Sequence, residues 1–135
     1  MFKKQKQVLV ATESFLLVGI GGFTGSNLRY FSESLITSTL LSTAVVNILG
    51  CFALGMLFYE RELVSIISDR GRRVLGTGVL SSFTTYSTFV LDTVTAAPRF
   101  GLAYLFGSYV LGFAGVLLGR QTIRWASSTQ QGESQ

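Results

Sequence analysis

The stretch of the chain richest in polar chemistry lies inside an otherwise apolar run. Hydroxyl side chains fill most of the positions from residue 81 to residue 88: Ser81, Ser82, Thr84, Thr85, Ser87 and Thr88. Such hydroxyls can bond to backbone carbonyls and so stabilise a broken helix inside a membrane. Carbonyls freed at a break are suitable ligands for Na⁺. A continuous helix whose hydroxyls bind neighbouring helices explains the pattern equally well.

Aromatic and amide groups nearby could contact an anion. Tyr86 and Phe89 share a helix face, and the edges of their rings are electropositive, although ordinary packing explains such a pair too. Asn47 ends a polar stripe that begins with Thr39 and Thr43, spaced four residues apart. Its amide can donate hydrogen bonds to an anion, or simply join two helices.

Five more polar or charged residues lie in or beside the apolar runs. Tyr104 and Ser108, one helical turn apart, form a second hydroxyl stripe. Arg29 could draw anions into a vestibule, or extend to the membrane surface. Glu13 could carry a proton or a cation, or reach the lipid headgroups. Asp92, which precedes a short loop, is expected to cap a helix end.

The composition places these residues in a membrane protein. The chain is 48% hydrophobic and only 13% charged, whereas soluble domains carry about 25% charged residues. Apolar runs of about 20 residues are long enough to cross a bilayer as helices. The sequence therefore predicts an all-α integral membrane protein whose four transmembrane helices span residues 8–30, 40–59, 74–95 and 100–125.

The same pattern predicts how the chain is divided. Residues 1–7 form a basic N-terminus, residues 8–125 the four-helix membrane domain and residues 126–135 a polar C-terminal tail. Among the connectors, only residues 60–73 carry enough charge to lie in water. With no His and a single Cys, a transition-metal site is not expected. No nucleophile–base set or phosphate loop appears, so an enzyme is not predicted.

The basic residues indicate topology rather than binding to nucleic acid. Only Arg29 and Arg99 lie near the side of the membrane opposite to the termini. Because cytoplasmic loops carry the excess of Lys and Arg, both termini are predicted to be cytoplasmic. The nine basic residues on the cytoplasmic side are Lys3, Lys4, Lys6, Arg61, Arg70, Arg72, Arg73, Arg120 and Arg124.

Small residues at helical spacing predict where the helices touch. Inside lipid, close helix contact depends on such residues. Four helices are few for enclosing a polar pathway, so an oligomer, most simply a dimer, is expected. The predicted contact pairs are Gly21 with Gly25, Cys51 with Gly55, and Gly115 with Gly119.

Three segments together resemble the Fluc, or CrcB, family of fluoride channels. They are GGFTGSNLRYF (residues 21–31), STAVVNILGCFALG (residues 42–55) and GTGVLSSFTTYSTF (residues 76–89). The resemblance implies an antiparallel dimer of four-helix subunits, each with a broken third helix, and two narrow pores. It also implies a structural Na⁺ at the dimer centre, and a cell-membrane channel that lets fluoride leave the cell passively.

The resemblance also assigns roles to residues. The Na⁺ ligands would be the backbone carbonyls of Ser81 and Thr84. Asn47 would be the pore amide, and Tyr86 with Phe89 the aromatic pair that lines the pore. Arg29 matches the arginine of the first motif. Polar neighbours along the pathway would be Thr85, Ser87, Thr88, Tyr104 and Ser108.

The chain departs from the family pattern at three positions. The family usually has glycines in place of Ser81 and Ser82, and Phe in place of Tyr86. Carbonyl ligation tolerates the change from Gly to Ser if the break requires no positive φ there. Tyr86 keeps the aromatic ring and adds a hydroxyl.

The charge bias raises a separate question about the dimer. An antiparallel homodimer needs a chain that inserts in both orientations. This chain has nine basic residues on the side of the termini and two on the other side, and such a bias favours one orientation. We therefore hypothesise pairing with an oppositely oriented paralogue, with self-pairing as the alternative. The rival functions are a proton-coupled cation or drug exporter that uses Glu13, and a membrane subunit that transports nothing.

Overall fold

The computed structural model describes the backbone of residues 2–132. The side chains of Phe2, Lys4 and residues 130–132 are outside the description. Within these limits the chain is helical almost throughout. Its helices provide four segments long and apolar enough to cross a membrane: Gln5–Leu35, Thr39–Leu63, Asp69–Thr95 and Pro98–Thr129. This architecture confirms the predicted class, an all-α protein with several membrane-spanning helices.

The third of these segments is built from several pieces, whereas the other three are single helices. The first two spans are α1 (Phe2–Leu35) and α2 (Thr39–Leu63), and the fourth is α6 (Pro98–Gly132). The third contains, in order, α3 (Asp69–Arg73), a π-helical stretch (Val74–Leu80), α4 (Ser81–Phe83) and α5 (Tyr86–Thr95). π-Helical turns are rare and occur often near functional sites.

The helices extend further than the apolar runs. The 34 residues of α1 span about 51 Å, more than the ~30 Å hydrocarbon layer. The predicted basic end is therefore helical from Phe2, and the predicted polar tail is helical through Gly132. Residues 133–135 lie outside the described range. The predicted aqueous connector also shortens, because α2 ends at Leu63 and α3 begins at Asp69.

A buried ion pair explains why this connector is short. The Glu60 carboxylate accepts bonds from the backbone N–H groups of Ile66 (2.6 Å) and Ile67 (2.8 Å) and lies 2.9 Å from Arg72. Arg72 also donates to the carbonyl of Leu57 at 2.6 Å. Charges that are paired in this way can stay at the helix ends without a longer aqueous loop.

Helix packing follows the small residues. A Cβ built on Gly21 would meet the backbone of Val74, and one on Gly25 would meet that of Val79, so α1 lies tightly along the third span. In the same way α2 and α6 touch through Gly55 and Gly119. The predicted contact pairs are thus confirmed. The polar residues considered next lie where α2, α5 and α6 meet.

Candidate functional site

The third span changes conformation at two threonines. Thr84 (φ −78°, ψ 160°) and Thr85 (φ −143°, ψ 123°) are extended, and they separate α4 from α5. The Thr84 N–H still donates to the Leu80 carbonyl at 3.0 Å, as in a regular helix. Among the described residues the Thr85 N–H has no helical acceptor, so a nearby side chain must satisfy it. Ser81 keeps a right-handed helical conformation (φ −63°, ψ −30°), so the backbone there does not require glycine.

Asn47 satisfies the backbone at this point. Its Oδ1 accepts the Thr85 N–H at 2.9 Å, and its Nδ2 donates to the Thr85 carbonyl, also at 2.9 Å. Exchanging the amide oxygen and nitrogen would break both bonds, so the orientation of the side chain is fixed. An amide carries two hydrogens, and within the described part of the chain only one of Asn47's has an acceptor. The other is free to bind a ligand.

Hydroxyl groups cap the start of α5. The Thr85 hydroxyl accepts the N–H of Thr88 at 3.3 Å and donates to the Thr88 hydroxyl at 3.0 Å, while the Ser87 hydroxyl lies 3.4 Å away. Thr85 is buried, Thr88 half-buried and Ser87 exposed. The N-terminal end of this ten-residue helix, which carries a partial positive charge, therefore lies beside Asn47 and Thr85. We call Asn47, Thr85 and Thr88 the first polar cluster.

Backbone carbonyls on the α4 side remain open to a cation. Among the described residues, no donor bonds to the Ser81 carbonyl, because the Thr85 N–H that would follow in a regular helix goes to Asn47. The Thr84 carbonyl accepts one long bond from Arg29, at 3.3 Å. Arg29 also lies 3.8 Å from Glu33. Carbonyls with spare lone pairs fit the oxygen ligation that Na⁺ requires.

Aromatic rings form the next layer along α5. Phe89 is only 7% exposed, and its ring centroid lies 5.4 Å from Tyr104 and 6.1 Å from Tyr86. The ring of Tyr109 meets it edge to face at 6.0 Å. Tyr86, by contrast, is 74% exposed in the single chain. The two predicted pore aromatics are therefore neighbours, but only Phe89 is enclosed.

A second polar cluster lies one turn beyond Phe89. Asp92 is 6% exposed, and neither its Oδ2 nor the Tyr104 hydroxyl has a hydrogen-bond partner in the described part of the chain. The hydroxyls of Thr43 and Ser108 approach that of Tyr104 without meeting hydrogen-bond geometry. These side chains provide unused hydrogen-bonding capacity in a buried place.

The expectation that Asp92 caps a helix end is wrong. The carboxylate lies inside α5 and is packed against α6, and only its backbone carbonyl bonds to the N–H of Ala96, at 3.2 Å. The sequence held a signal that could have found it, since Asp92 follows Phe89 at the same three-residue spacing by which Phe89 follows Tyr86. Thr43, one turn before Asn47, belongs to the same cluster as Asp92 and Tyr104. The sequence indicates it only as part of the polar stripe on α2.

A cavity of about 480 Å³ brings most of the predicted residues together between α2, α6 and the third span. Arg29 reaches the site only through the Thr84 carbonyl. Ser87, Thr88 and Tyr104 lie beside the cavity and contact its wall. Glu13 lies elsewhere, 2.8 Å from Arg70. The predicted residues that line the cavity are Asn47, Ser81, Thr84, Thr85, Tyr86, Phe89 and Ser108.

The chain is similar to proteins of one known family. The family model described as "CrcB-like protein, Camphor Resistance (CrcB)" matches residues 16–120. The chain is 50% identical to "Fluoride-specific ion channel FluC 1" of Haloarcula marismortui over 86% of its own length and 90% of the relative's. It is 45% identical to "Fluoride-specific ion channel FluC 2" of Halobacterium salinarum, over 82% of the chain and 87% of the relative.

A bacterial relative is similar over nearly as much of its length. The "Fluoride-specific ion channel FluC" of Oceanobacillus iheyensis is 38% identical, over 77% of this chain and 86% of that protein. The region that matches the CrcB family model, residues 16–120, begins inside α1 and ends inside α6, so it includes every residue of the two polar clusters. On this evidence the chain is a multi-pass membrane protein that belongs to the CrcB family.

Proposed function

We propose that this chain is a subunit of a fluoride-specific ion channel, which exports fluoride passively and so lowers fluoride toxicity in the cytoplasm. The relatives at 38–50% identity carry that activity in their names. Fluoride enters acidified cells as the neutral acid and dissociates inside, so a passive pathway for the anion is sufficient to remove it. No covalent chemistry is needed.

The observation that carries the proposal is the environment of Asn47. One amide hydrogen is held by Thr85, and the other is free at the wall of a cavity that Phe89 also lines. A free N–H, an aromatic edge and the positive end of α5 all attract an anion without a full positive charge. Conduction needs such moderate binding, because the ion must also leave.

The remaining polar residues are proposed to continue the pathway. Thr85, Ser87 and Thr88 offer hydroxyls at the start of α5, and Tyr104 with Ser108 offers them on α6. Hydroxyls can exchange their own mutual bonds for bonds to a passing anion. Arg29 adds positive charge at the Thr84 carbonyl, a more specific place than the open vestibule suggested by its sequence position.

We further propose that Na⁺ binds the carbonyls of Ser81 and Thr84. Two facts support this: Ser81 needs no positive φ, and its carbonyl has no donor among the described residues. Two carbonyls are too few to hold Na⁺, so a second subunit would have to supply an equal pair. The ion would neutralise carbonyl dipoles at the break and hold the helix pieces in place, and would itself not be transported.

The exposed polar side chains of the third span also support the proposal of an antiparallel dimer. Tyr86 is 74% exposed in the single chain, and Ser81 and Ser87 are exposed as well. Polar groups on the lipid-facing surface of a membrane helix are costly, and a partner subunit would cover them. Relatives named FluC 1 and FluC 2 occur in this family, which is consistent with a paralogue as partner.

The topology of the dimer can be tested by itself. With nine basic residues on the side of both termini against two on the other, we propose insertion with both termini in the cytoplasm. Reporter fusions at the C-terminus should then give signal from the cytoplasmic side alone. Equal signal from both sides would instead support an antiparallel homodimer.

Fluoride efflux from liposomes tests the function. The full chain is reconstituted alone and then with a paralogue from the same genome, and the released anion is read with a fluoride electrode. Rapid fluoride release without chloride release is expected. Release only in the presence of the paralogue would establish the heterodimer. If neither preparation releases fluoride although folding and insertion are verified, the proposal is wrong.

A further inference from the structure

A groove with three cationic side chains lies at the end of the molecule that carries both termini. It has a volume of about 430 Å³ and separates the start of α1 from the start of the third span. Its α1 residues recur at intervals of three and four, so they share one helix face. We call it the basic groove; it is lined by Lys3, Lys6, Gln7, Val10, Ala11, Ser14 and Arg73.

The charges of the basic groove are not neutralised by nearby acids. Of the three arginines at the start of the third span, Arg70 pairs with Glu13 at 2.8 Å and Arg72 with Glu60 at 2.9 Å. Within the described residues no carboxylate lies within ion-pair distance of Arg73, Lys3 or Lys6, and none lines the groove. The groove therefore attracts an anion.

The groove also lies at the boundary between water and lipid. Lys3 and Lys6 come before the exposed apolar side chains Val8 (58% exposed) and Leu9 (69%), where the apolar exposed surface of α1 begins. Along α1 the groove is lined first by Lys3, Lys6 and Gln7, then by the apolar Val10 and Ala11, and last by Ser14. A ligand that fits has a negative head and an apolar tail.

We propose that the basic groove binds one acidic phospholipid of the surrounding leaflet. Lys3, Lys6 and Arg73 contact the phosphate, and the first acyl segment lies along Val10 and Ala11. A lipid held there bridges α1 and the third span, two elements already packed together through Gly21 and Gly25. Free phosphate would use the same cations but would leave the apolar wall uncovered, so the lipid is the better fit. This site is independent of the proposed fluoride pathway.

Native mass spectrometry of the full chain in neutral detergent tests the site. Dioleoyl phosphatidylglycerol or dioleoyl phosphatidylcholine is added, and the fraction of protein that retains one lipid is measured. We expect several-fold greater retention of phosphatidylglycerol, and loss of that preference in Arg73→Gln and Lys6→Gln. The matched control is Arg61→Gln, an exposed arginine on α2 that is not part of the groove and should keep the preference.

Three results would overturn the proposal. Equal retention of the two lipids would show that the groove does not select an acidic headgroup. An equal loss in Arg61→Gln would show that general positive charge, not the groove, attracts the lipid. Displacement by millimolar inorganic phosphate would assign the groove to free anions. Thermal unfolding of each variant shows that a lost preference does not reflect a lost fold.

Discussion

Two buried polar clusters lie one helical turn before and one turn after Phe89, and they differ in how fully their hydrogen bonds are satisfied. In the first, Asn47 makes both of its bonds to Thr85 at 2.9 Å, and Thr85 in turn caps α5. In the second, Asp92 Oδ2 and the Tyr104 hydroxyl have no partner in the described part of the chain. The first cluster maintains the fold, and the second has bonding capacity to spare.

The difference matters because an unsatisfied buried polar group costs about 1–3 kcal/mol. A protein keeps such groups where they meet a ligand, a partner or water. The satisfied cluster still has one free amide hydrogen, on Asn47. An anion that moves along α5 would meet that hydrogen, then the ring of Phe89, and then the hydroxyl of Tyr104.

The largest effect is expected from breaking the satisfied cluster with Asn47→Asp. A carboxylate cannot donate to the Thr85 carbonyl, and its charge repels an anion. We expect fluoride efflux to fall roughly tenfold or more, equivalent to a barrier higher by about 1.4 kcal/mol. Efflux from liposomes measures it. The control is Asn27→Asp, an exposed amide on α1 that bonds only to the carbonyl of Phe23. An equal loss in both variants would contradict the role of Asn47.

The next effect comes from the unsatisfied cluster, through Tyr104→Phe. Removing a hydroxyl that has no partner among the described residues should leave the unfolding temperature unchanged or raise it slightly, since the desolvation cost of about 1–3 kcal/mol disappears. Fluoride efflux should nevertheless fall several-fold, because the passing anion loses a donor. Efflux assays and thermal unfolding in detergent separate the two results. Tyr30→Phe, on the exposed surface of α1, is the control. A destabilised protein with normal efflux would show that the hydroxyl is structural.

The sequence predicted the satisfied cluster better than the unsatisfied one. Asn47, Thr84 and Thr85 stand out because amides and dense hydroxyls are unusual in an apolar run. Asp92 was wrongly expected to cap a helix end because it stands close to a loop in the sequence, and only the packing of α5 on α6 shows that its carboxylate is buried. The π-helical stretch from Val74 to Leu80 was not predicted from the sequence either, and it lies where α1 approaches the third span closely.

Some features of the fold were likewise predicted from the sequence and others were not. The four membrane-crossing segments follow from hydropathy, and the glycine pairs correctly predicted which helix faces touch. The helix ends were not predicted, because Glu60 on α2 and Arg72 on α3 form an ion pair and both helices include charged residues. Charge alone suggested an aqueous loop at that position.

A smaller effect is expected at the helix cap. Thr85→Ala removes the hydroxyl that accepts the Thr88 N–H, and losing such a cap costs about 0.5–2 kcal/mol. Thr85→Ser keeps the hydroxyl and should restore both stability and efflux to near the wild-type values. Thermal unfolding followed by circular dichroism compares the two variants. If Thr85→Ser were as unstable as Thr85→Ala, the methyl group rather than the hydroxyl would be responsible.

The smallest effect is expected outside both clusters, at Glu13. Its pair with Arg70 is about half exposed, and such surface pairs contribute about 0–1 kcal/mol. Glu13→Gln should therefore leave fluoride efflux and its pH dependence unchanged. Efflux recorded at several external pH values measures this. Loss of transport in this variant would revive a proton-coupled exporter that uses Glu13.

The central claim is that fluoride passes where Asn47 and Phe89 meet, and anion release from liposomes that contain Phe89→Ile tests it most directly. Isoleucine fills similar space but has no electropositive edge. Phe106→Ile, a 66% exposed aromatic on α6, is the control. The account predicts that Phe89→Ile greatly slows fluoride release while Phe106→Ile releases it at the wild-type rate. Unchanged fluoride release from a folded Phe89→Ile protein would place the pathway elsewhere and contradict the account.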